Sequence, residues 1–440
     1  MSRVSSVVSK AERLVIPSHE EETSKGDLAR SLLARTKKFA ARFPETRGVL
    51  VGGSYAKGTW LPGHVDLDIF VKLDPSTPEP EFERIGLDIG AMATKGYPAG
   101  KKYAQHPYTE ATVEGTRVNI VPCFAVKQGE WKSAADRSPF HVLLVKDLPE
   151  TTKTQIRLLK RFMNAVGVYG AEIEKQGFSG YVAEVLVMKM GGFEQVVTWF
   201  ACQAAPKEGS PFTLADPVDR DRDLGIAVSG ESLGRMVLAS REFLKRPRLG
   251  FFRGMSGKAR PSMVKEVVAV TFSHRSLSED TLWGELRKTT RHLVRHVEIQ
   301  GFTIARSLAA SNNKDRSAIL LIPEVSTLPG LEQRVGPTVD RRKDVEAFVA
   351  TNARGSRLVW VDGEARVRLL RPRTYTALRE LLAAVARGKE GSIGASREIE
   401  LGMRKSAAVL EGPRLLRAAA SAEWLRAGIR EITSDAIGTR

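Results

Sequence analysis

Gly52-Gly53-Ser54-Tyr55-Ala56-Lys57-Gly58-Thr59-Trp60, followed after Leu61-Pro62-Gly63 by His64-Val65-Asp66-Leu67-Asp68-Ile69-Phe70, is the stretch whose reading decides the fold. The apolar run Val49–Val51 before it ends at the glycine pair and reads as a strand. Ser54 toward Trp60 reads as a helix. Val65, Leu67 and Ile69 then alternate with polar residues, the period of a half-buried strand. Asp66 and Asp68 sit two apart on that strand, so their side chains share a face. Two carboxylates so placed can hold a pair of divalent ions about 4 Å apart, the arrangement of two-metal phosphoryl transfer. Mg²⁺ suits such an all-oxygen set. An Asp-x-Asp alone equally describes two solvent-facing strand positions. The turn before it adds information: backbone N–H groups at a helix start favour phosphate, and Ser54 and Lys57 can offer a hydroxyl and a charge to the same triphosphate. The same glycines would also serve an ordinary tight turn. A Walker loop is excluded, because Thr59 follows Gly58 where that motif needs Lys.

Further along, Arg117-Val118-Asn119-Ile120-Val121 reads as a second strand, stopped by Pro122, which cannot donate to a ladder. From about Thr152 the period becomes helical: Ile156, Leu159, Met163 and Val166 share one face, and Gly167 is placed to end the helix. Lys153, Arg157, Lys160 and Asn164 form a stripe on another face, a pattern that usually means a solvated surface. Residues 206–222 are rich in Pro and Asp and read as a loop. A third region begins near Arg260. Val264–Phe272, Phe302–Leu308 and Ile319–Ile322 read as strands, and Leu282–Ile299 and Asp340–Val349 as helices. Arg357–Val361 and Glu364–Leu369 flank Asp362-Gly363, which predicts a two-residue type I′ hairpin turn. The order β-α-β-β-α-β predicts a ferredoxin-like sheet with an added strand. An Arg- and Ala-rich helical tail ends the chain.

With 440 residues, two or three domains are expected, and 42% apolar content allows each a core. The net charge of +17 points to a polyanionic partner, with RNA, DNA and anionic membrane as candidates. The N-terminus lacks the apolar core of a signal peptide, and no run approaches a membrane span. Cys123 and Cys202 are the two cysteines, which excludes a disulfide framework and a Cys-based zinc module and predicts a reducing, cytoplasmic setting without membrane attachment. His292 and His296 have a zinc-compatible spacing, but Arg291 and Arg295 share the segment and no third ligand is near, so a basic helix face is the better reading. Arg366, Arg368, Arg371 and Arg373 fit phosphate contacts to an A-form helix read by shape.

Gly-Gly-Ser, about ten residues and then Asp-x-Asp resembles the signature of the DNA polymerase β-like nucleotidyltransferase superfamily. Gly53–Trp60, Asp66–Asp68, Val118–Cys123, Ser133–His141, Gly177–Tyr181, Asp216–Asp219, Leu249–Phe252 and Arg334–Pro337 are similar to the archaeal (class I) CCA-adding enzymes, nearly along the whole chain. The resemblance implies an α+β multidomain protein. A polymerase-β-like palm would span 1–140, a helical nucleotide- and tRNA-binding middle domain 141–258, and a C-terminal α/β body with a helical, tRNA-binding tail 259–440. It implies stepwise addition of C, C and A to tRNA from CTP and ATP without a template, with Mg²⁺ as cofactor and the acceptor stem and T arm as the gripped surface. A homodimer is an allowed assembly.

The resemblance also implies roles. Gly53, Ser54 and Lys57 match the triphosphate-contacting motif, and relatives often have Arg at the position of Lys57. Asp66 and Asp68 match metal carboxylates. His141, Lys160 and Tyr169 match residues that contact the incoming nucleotide, and Arg222 one that helps select the base; Asp223 stands where relatives often have Asn. On that reading the stripe through Lys160 faces the nucleotide. The third catalytic, metal-binding carboxylate falls at Asn119, whose amide brings no negative charge and takes no proton. Three explanations stay open here: Asn119 works in this lineage, it is a disabling replacement, or the protein is a tRNA-binding homologue with impaired catalysis. The largely intact nucleotide positions favour the first. A poly(A)- or oligoadenylate-type polymerase is the rival enzyme.

Overall fold

The structure, a computed structural model, describes residues 3–203, 212–253 and 261–435. Two compact units make up the chain, Met1–Ser256 with Asp435–Arg440 and Gly257–Ser434. The expected start of a third region near Arg260, the 258/259 boundary and the first part of the 206–222 loop lie outside the described residues.

In the first unit the elements are α1 (Arg3–Glu12), α2 (His19–Ala40), β1 (Thr46–Gly52), α3 (Gly53–Lys57), β2 (Asp66–Leu73), α4 (Glu79–Ala93), β3 (Ala99–Tyr103), β4 (Pro107–Val113), β5 (Thr116–Phe124), α5 (Ser138–Val145), α6 (Glu150–Val166), α7 (Gly180–Met190), α8 (Phe193–Ala201), α9 (Gly230–Lys245) and α10 (Gly250–Arg253). The sheet runs β1-β2-β5-β4-β3, antiparallel except for the β2–β5 pair. Leu67, Ile69, Val71 and Leu73 are fully buried in a core shared with α2 and α4 residues such as Leu32, Phe82 and Ile85. Strand alternation therefore turns Asp66 and Asp68 to the opposite face.

Strand β5 runs through Pro122 rather than stopping at it, with Pro122 opposite Val71. Pairing with β4 has already ended at Ile120. Phe124, two residues on and therefore facing the same side, donates its N–H not to the ladder but to Asp136 Oδ1 at 2.7 Å. The ladder thus asks for no donor at Pro122.

A second, helical core is built from α6–α10, and α1 joins it through Val8 and Ala11. Phe162, Phe193, Phe243, Phe251 and Phe252 cluster there in mostly edge-to-face contacts. Helix α6 ends at Gly167, left-handed at φ +79. The middle of the basic stripe of α6 is not a solvated face, although Asn164 at its end is exposed. Arg157 and Lys160 are 3% and 1% exposed, because the stripe packs against the α3 turn: Arg157 donates to the Gly58 carbonyl at 2.6 Å.

In the second unit the elements are α11 (Pro261–Val264), β6 (Val268–Ser273), α12 (Glu279–Ile299), β7 (Ile304–Ser311), β8 (Arg316–Pro323), β9 (Leu331–Thr338), α13 (Arg342–Asn352), β10 (Leu358–Val361), β11 (Arg366–Pro372), α14 (Leu378–Ala386), α15 (Arg397–Ser406), β12 (Ala408–Glu411), α16 (Gly412–Ala420) and α17 (Glu423–Ile432). The β-α-β-β-α-β order is broken by β9, a strand the sequence reading missed between β8 and α13, and the strands divide between an antiparallel sheet β12-β6-β8-β7 and a separate sheet β10-β11-β9. Helices α16 and α17 of the Arg- and Ala-rich tail cover the first sheet through Leu415, Leu425 and Ile429. The β10–β11 connection is not the two-residue type I′ turn. Ala365 N–H donates to the Asp362 carbonyl, and Ala365, not Gly363, takes the left-handed conformation at φ +55. Asp362 Oδ1 accepts from the N–H groups of Glu364 and Arg366, which fixes the longer loop. Among the described residues no helix is long and apolar enough to cross a membrane.

Candidate active site

Register places the carboxylates. Asp68 on β2 lies between Gly52 on β1 and Asn119 on β5, and Asp66 lies beside Arg117 on β5. Gly52 is the last residue of its strand, so the turn into α3 folds over Asp68. A Cβ on Gly53, whose φ is +63, would come 1.9 Å from Asp68 Oδ2. Glycine is required by both the backbone and the approach. Helix α3 is a single turn and ends at Gly58 in the left-handed region.

Asn119 Nδ2 donates to Asp68 Oδ1 at 2.8 Å, while Asn119 Oδ1 is buried without a hydrogen-bond partner. Asp66 is held by the Arg117 guanidinium. Burial raises the Asp68 carboxyl above its ordinary range, and the Asp66 charge adds to this; the Asn119 hydrogen bond and the charges of Arg117 and Lys57 oppose it. Two carboxylates and an orphaned amide oxygen on adjacent strands are a donor set for a hard cation. Such an ion would lower the Asp68 carboxyl again, and a turn of the amide would give Oδ1 a partner.

Ser54, Asp66, Lys160 and Tyr169 line one cavity of about 360 Å³, together with Thr59, Asn164 and Arg117. The stripe residues Lys160 and Asn164 thus reach the same space as the Asp-x-Asp strand. Lys160 Nζ donates to Glu184 Oε1 at 2.7 Å and to Thr59 Oγ1 at 2.9 Å. Lys57 Nζ donates to Glu184 Oε2 at 2.8 Å and lies 4.9 Å from the centre of the Tyr181 ring. Burial alone would raise the Glu184 carboxyl, but the two ammonium groups win and hold it at about 2. Lys57 is accordingly buried and paired rather than free in the cavity. The Tyr169 hydroxyl is pushed above its usual range by burial and by the charges of Glu184, Glu172 and Asp66. It abuts Gly180, where a Cβ would come 2.7 Å from the hydroxyl.

A second cluster gathers around Asp216. His141 Nε2 lies 3.2 Å from Asp216 Oδ2, and the Tyr181 hydroxyl donates to Oδ1 at 2.8 Å. Val218 N–H donates to Oδ1 at 2.9 Å and Arg222 Nη1 to Oδ2 at 3.3 Å. The His141 and Tyr181 rings stack at 3.7 Å. Burial lowers the His141 imidazole below its ordinary value, against the pull of Asp216. Asp223 Oδ1 accepts from Leu214 and Gly225 N–H groups, both at 2.8 Å, so it clasps its own loop. Lys57, stacked over Tyr181 and bonded to Glu184, joins the two clusters.

Glu184, Thr59, Tyr181, Asp216 and Arg117 were not singled out individually by the sequence. Glu184 does carry a signal, since it is a lone acid in the apolar run Val182–Met188, where a charge needs a partner. Within the second unit, His292 Nδ1 faces the Gly394 carbonyl at 3.1 Å. Arg371 and Arg373 share Glu332 at 2.7 and 3.3 Å, and Arg368 pairs with Asp362.

Three family models match the chain: "Nucleotidyltransferase domain" over residues 33–141, "tRNA nucleotidyltransferase, second domain" over 154–253, and "CCA-adding enzyme, C-terminal domain" over 264–412. Among curated proteins, the CCA-adding enzyme of Pyrobaculum aerophilum is 35% identical over 366 residues, 79% of this chain and 85% of its own. That of Pyrobaculum neutrophilum is 34% identical over 402 residues, 87% and 94% of the two chains. That of Archaeoglobus fulgidus is 30% identical over 370 residues, 80% and 83%.

Proposed function

Because the chain belongs to the family of archaeal CCA-adding enzymes, we propose that the cavity between Ser54, Asp66, Lys160 and Tyr169 is where the incoming nucleotide is transferred. The activity is template-independent addition of C, C and A to the 3′ end of tRNA, with CTP and ATP as the other substrates. The nucleotidyltransferase domain uses a divalent metal ion. The single observation that carries the site is the register that puts Asp66 and Asp68 beside Asn119 and under the Gly53 turn.

Asp66, Asp68 and Asn119 would hold the ion, which when bound neutralises triphosphate charge and favours ionisation of the RNA 3′-hydroxyl. The all-oxygen set favours Mg²⁺ as that ion. Gly53 leaves room for a phosphate-facing backbone, and Ser54 offers its hydroxyl. Lys160 and Lys57 share one carboxylate, so the pair retains one unmatched positive charge that favours the triphosphate. Tyr169 and the stacked His141–Tyr181 pair offer faces for ribose and base, and Arg222 offers donors to a base edge. Asn119 supplies an amide oxygen in place of a charge, which weakens the hold on the ion without removing a ligand.

The family model over 154–253 and the packing of α6 against the α3 turn support a catalytic palm over 1–140 and a helical nucleotide-binding part over 141–258. Residues 259–440 are assigned to gripping the acceptor stem and T arm, where Arg366, Arg368 and Arg371 on β11 and Arg373 just past it would meet phosphates, the last three in exchange for the carboxylates of Asp362 and Glu332. The cytoplasm is the proposed compartment, and a homodimer the proposed assembly. The test is incubation of tRNA lacking CCA with Mg²⁺, CTP and ATP, beside an Asn119→Asp variant. Extension by three nucleotides with the unaltered chain is expected; extension by the variant alone would assign the chain to a disabled lineage, and none by either would reject the site.

A further inference from the structure

We propose that Arg117 is a built-in stand-in for the divalent ion at Asp66, exchanged for the metal when the site loads and then free to meet substrate phosphate. This rests on the reading of Asp66, Asp68 and Asn119 as the ion-holding set. Arg117 stands two residues before Asn119 on β5, on the same face, and in register with Asp66. The two strands therefore set a guanidinium against the outer carboxylate and an amide against the inner one. Two carboxylates and one guanidinium leave a net single negative charge, too little to hold a divalent ion strongly while Arg117 stays in place.

The pair is built to open. The side chains of Arg117 and Asp66 are 57% and 37% exposed, and an ion pair so open to water contributes little to stability. By contrast, the Lys160–Glu184 pair nearby is 1% exposed on both sides, as a structural bridge would be. Arg117 also lines the cavity that Ser54, Lys160 and Tyr169 line. Released from Asp66, its planar fork remains within a space assigned to a triphosphate or to the tRNA end, and that fork matches phosphate geometry. The exchange brings one more positive charge to the carboxylates than the guanidinium it displaces, and the arginine's own charge passes to the phosphate.

The test is Mn²⁺ binding to the full-length chain without nucleotide, read by electron paramagnetic resonance for the unaltered protein, Arg117→Gln, Arg117→Lys and Asp68→Asn. Arg117→Gln is expected to bind Mn²⁺ roughly three- to ten-fold more tightly, Arg117→Lys about as the unaltered chain does, and Asp68→Asn to lose the ion. Unchanged or weaker binding by Arg117→Gln, with the ion lost in Asp68→Asn, overturns the exchange and leaves the ion site standing. Retention of Mn²⁺ by Asp68→Asn rejects the site and the exchange together. In the second arm, CTP binding in the presence of Ca²⁺ is expected to weaken at least about three-fold in Arg117→Gln, as loss of one phosphate contact would give. Equal CTP affinity would overturn the transfer of Arg117 to phosphate.

Discussion

Lys160 and Glu184 meet Nζ to Oε1 at 2.7 Å, where each side chain is only 1% exposed. The other carboxylate oxygen holds Lys57 at 2.8 Å, so one buried acid serves two ammonium groups from different helices. Removing the acid strands both cations. Glu184→Gln is expected to cost about 3–5 kcal/mol of unfolding free energy in urea; a loss below about 1 kcal/mol would show that water or another acid replaces it. The same group fixes a pH dependence. Its carboxyl is held at about 2 in the folded chain against an ordinary 4.5. Its contribution is therefore fully present above pH 4.5 and lost as pH falls toward 2, an effect of about 3 kcal/mol. Unfolding measured across that interval should flatten in Glu184→Gln.

Gly53→Ala tests how tightly the turn is set over the carboxylate. The added Cβ would stand 1.9 Å from Asp68 Oδ2 at a φ of +63, and Asp68 is pinned by Asn119 at 2.8 Å. Neither side can yield without moving the turn or the ligand. Misplacement of about 1 Å at a reacting centre costs on the order of 100-fold, so single-turnover nucleotide addition should fall at least that far. The circular dichroism spectrum should stay unchanged, with a stability loss of about 1–2 kcal/mol. A variant with activity within three-fold of the unaltered chain would remove Gly53 from the site.

The carboxylate strand was legible because its information is local: Asp66 and Asp68 need only strand alternation to share a face, and the glycine pair precedes them by one short helix and its loop. The α6 stripe was legible as a pattern but not as an environment. Lys160 is buried by Glu184, 24 residues on, and by Thr59, 101 residues back, and periodicity carries no record of partners so distant. Pro122 misled for a related reason. A proline ends a strand only if the ladder needs its N–H, which depends on where β4 stops. Asp362-Gly363 has the composition of a tight turn, yet the Asp362 side chain captures two N–H groups beyond it and selects a longer loop. Arg117 offers no sequence signal apart from strand register, since a basic residue two before Asn119 becomes meaningful only once β5 is known to lie beside β2.

Asn119→Asp restores a third carboxylate next to Asp68. Because burial and Asp66 already raise the Asp68 carboxyl, another negative charge makes the ion-free site less favourable and the ion-bound site more so. The Mg²⁺ concentration for half-maximal addition should fall about ten-fold, one charge interaction in a partly shielded site. Thermal stability without divalent ion should drop and recover on adding it. A Mg²⁺ requirement equal to that of the unaltered chain would mean that the Asn119 side chain does not face the ion.

An excess of 17 positive charges predicts that tRNA binding is dominated by phosphate contacts. If six or more phosphates are neutralised, affinity should fall about a thousand-fold or more between 50 and 200 mM salt, with a linear log–log slope. Filter binding or fluorescence anisotropy over that range measures it. A flat response would separate the net charge from RNA recognition.

Asp216→Asn addresses the second cluster. The carboxylate accepts from His141, Tyr181, Arg222 and the Val218 N–H, and these hydrogen bonds hold it well below the usual carboxylate range despite its burial. An amide offers one oxygen where two are used, and its NH₂ group faces a partner that can only donate, so either Arg222 or the Val218 N–H must release. With that clasp on the loop opened, the Michaelis constants for CTP and ATP should rise about ten-fold while the maximal rate changes less, the pattern of lost positioning. Burial also lowers the His141 imidazole below its ordinary value of 6.5. Its stabilising contribution is present above pH 6.5 and is lost as pH falls below it, because the unfolded imidazole then takes a proton that the folded one resists. In the folded chain His141 is neutral at neutral pH and acts as a ring and a hydrogen-bond donor, not as a cation for the triphosphate. The Michaelis constant for CTP should therefore stay flat from pH 7 to 8, and a rise across that interval that vanishes in His141→Gln would assign His141 a charged role.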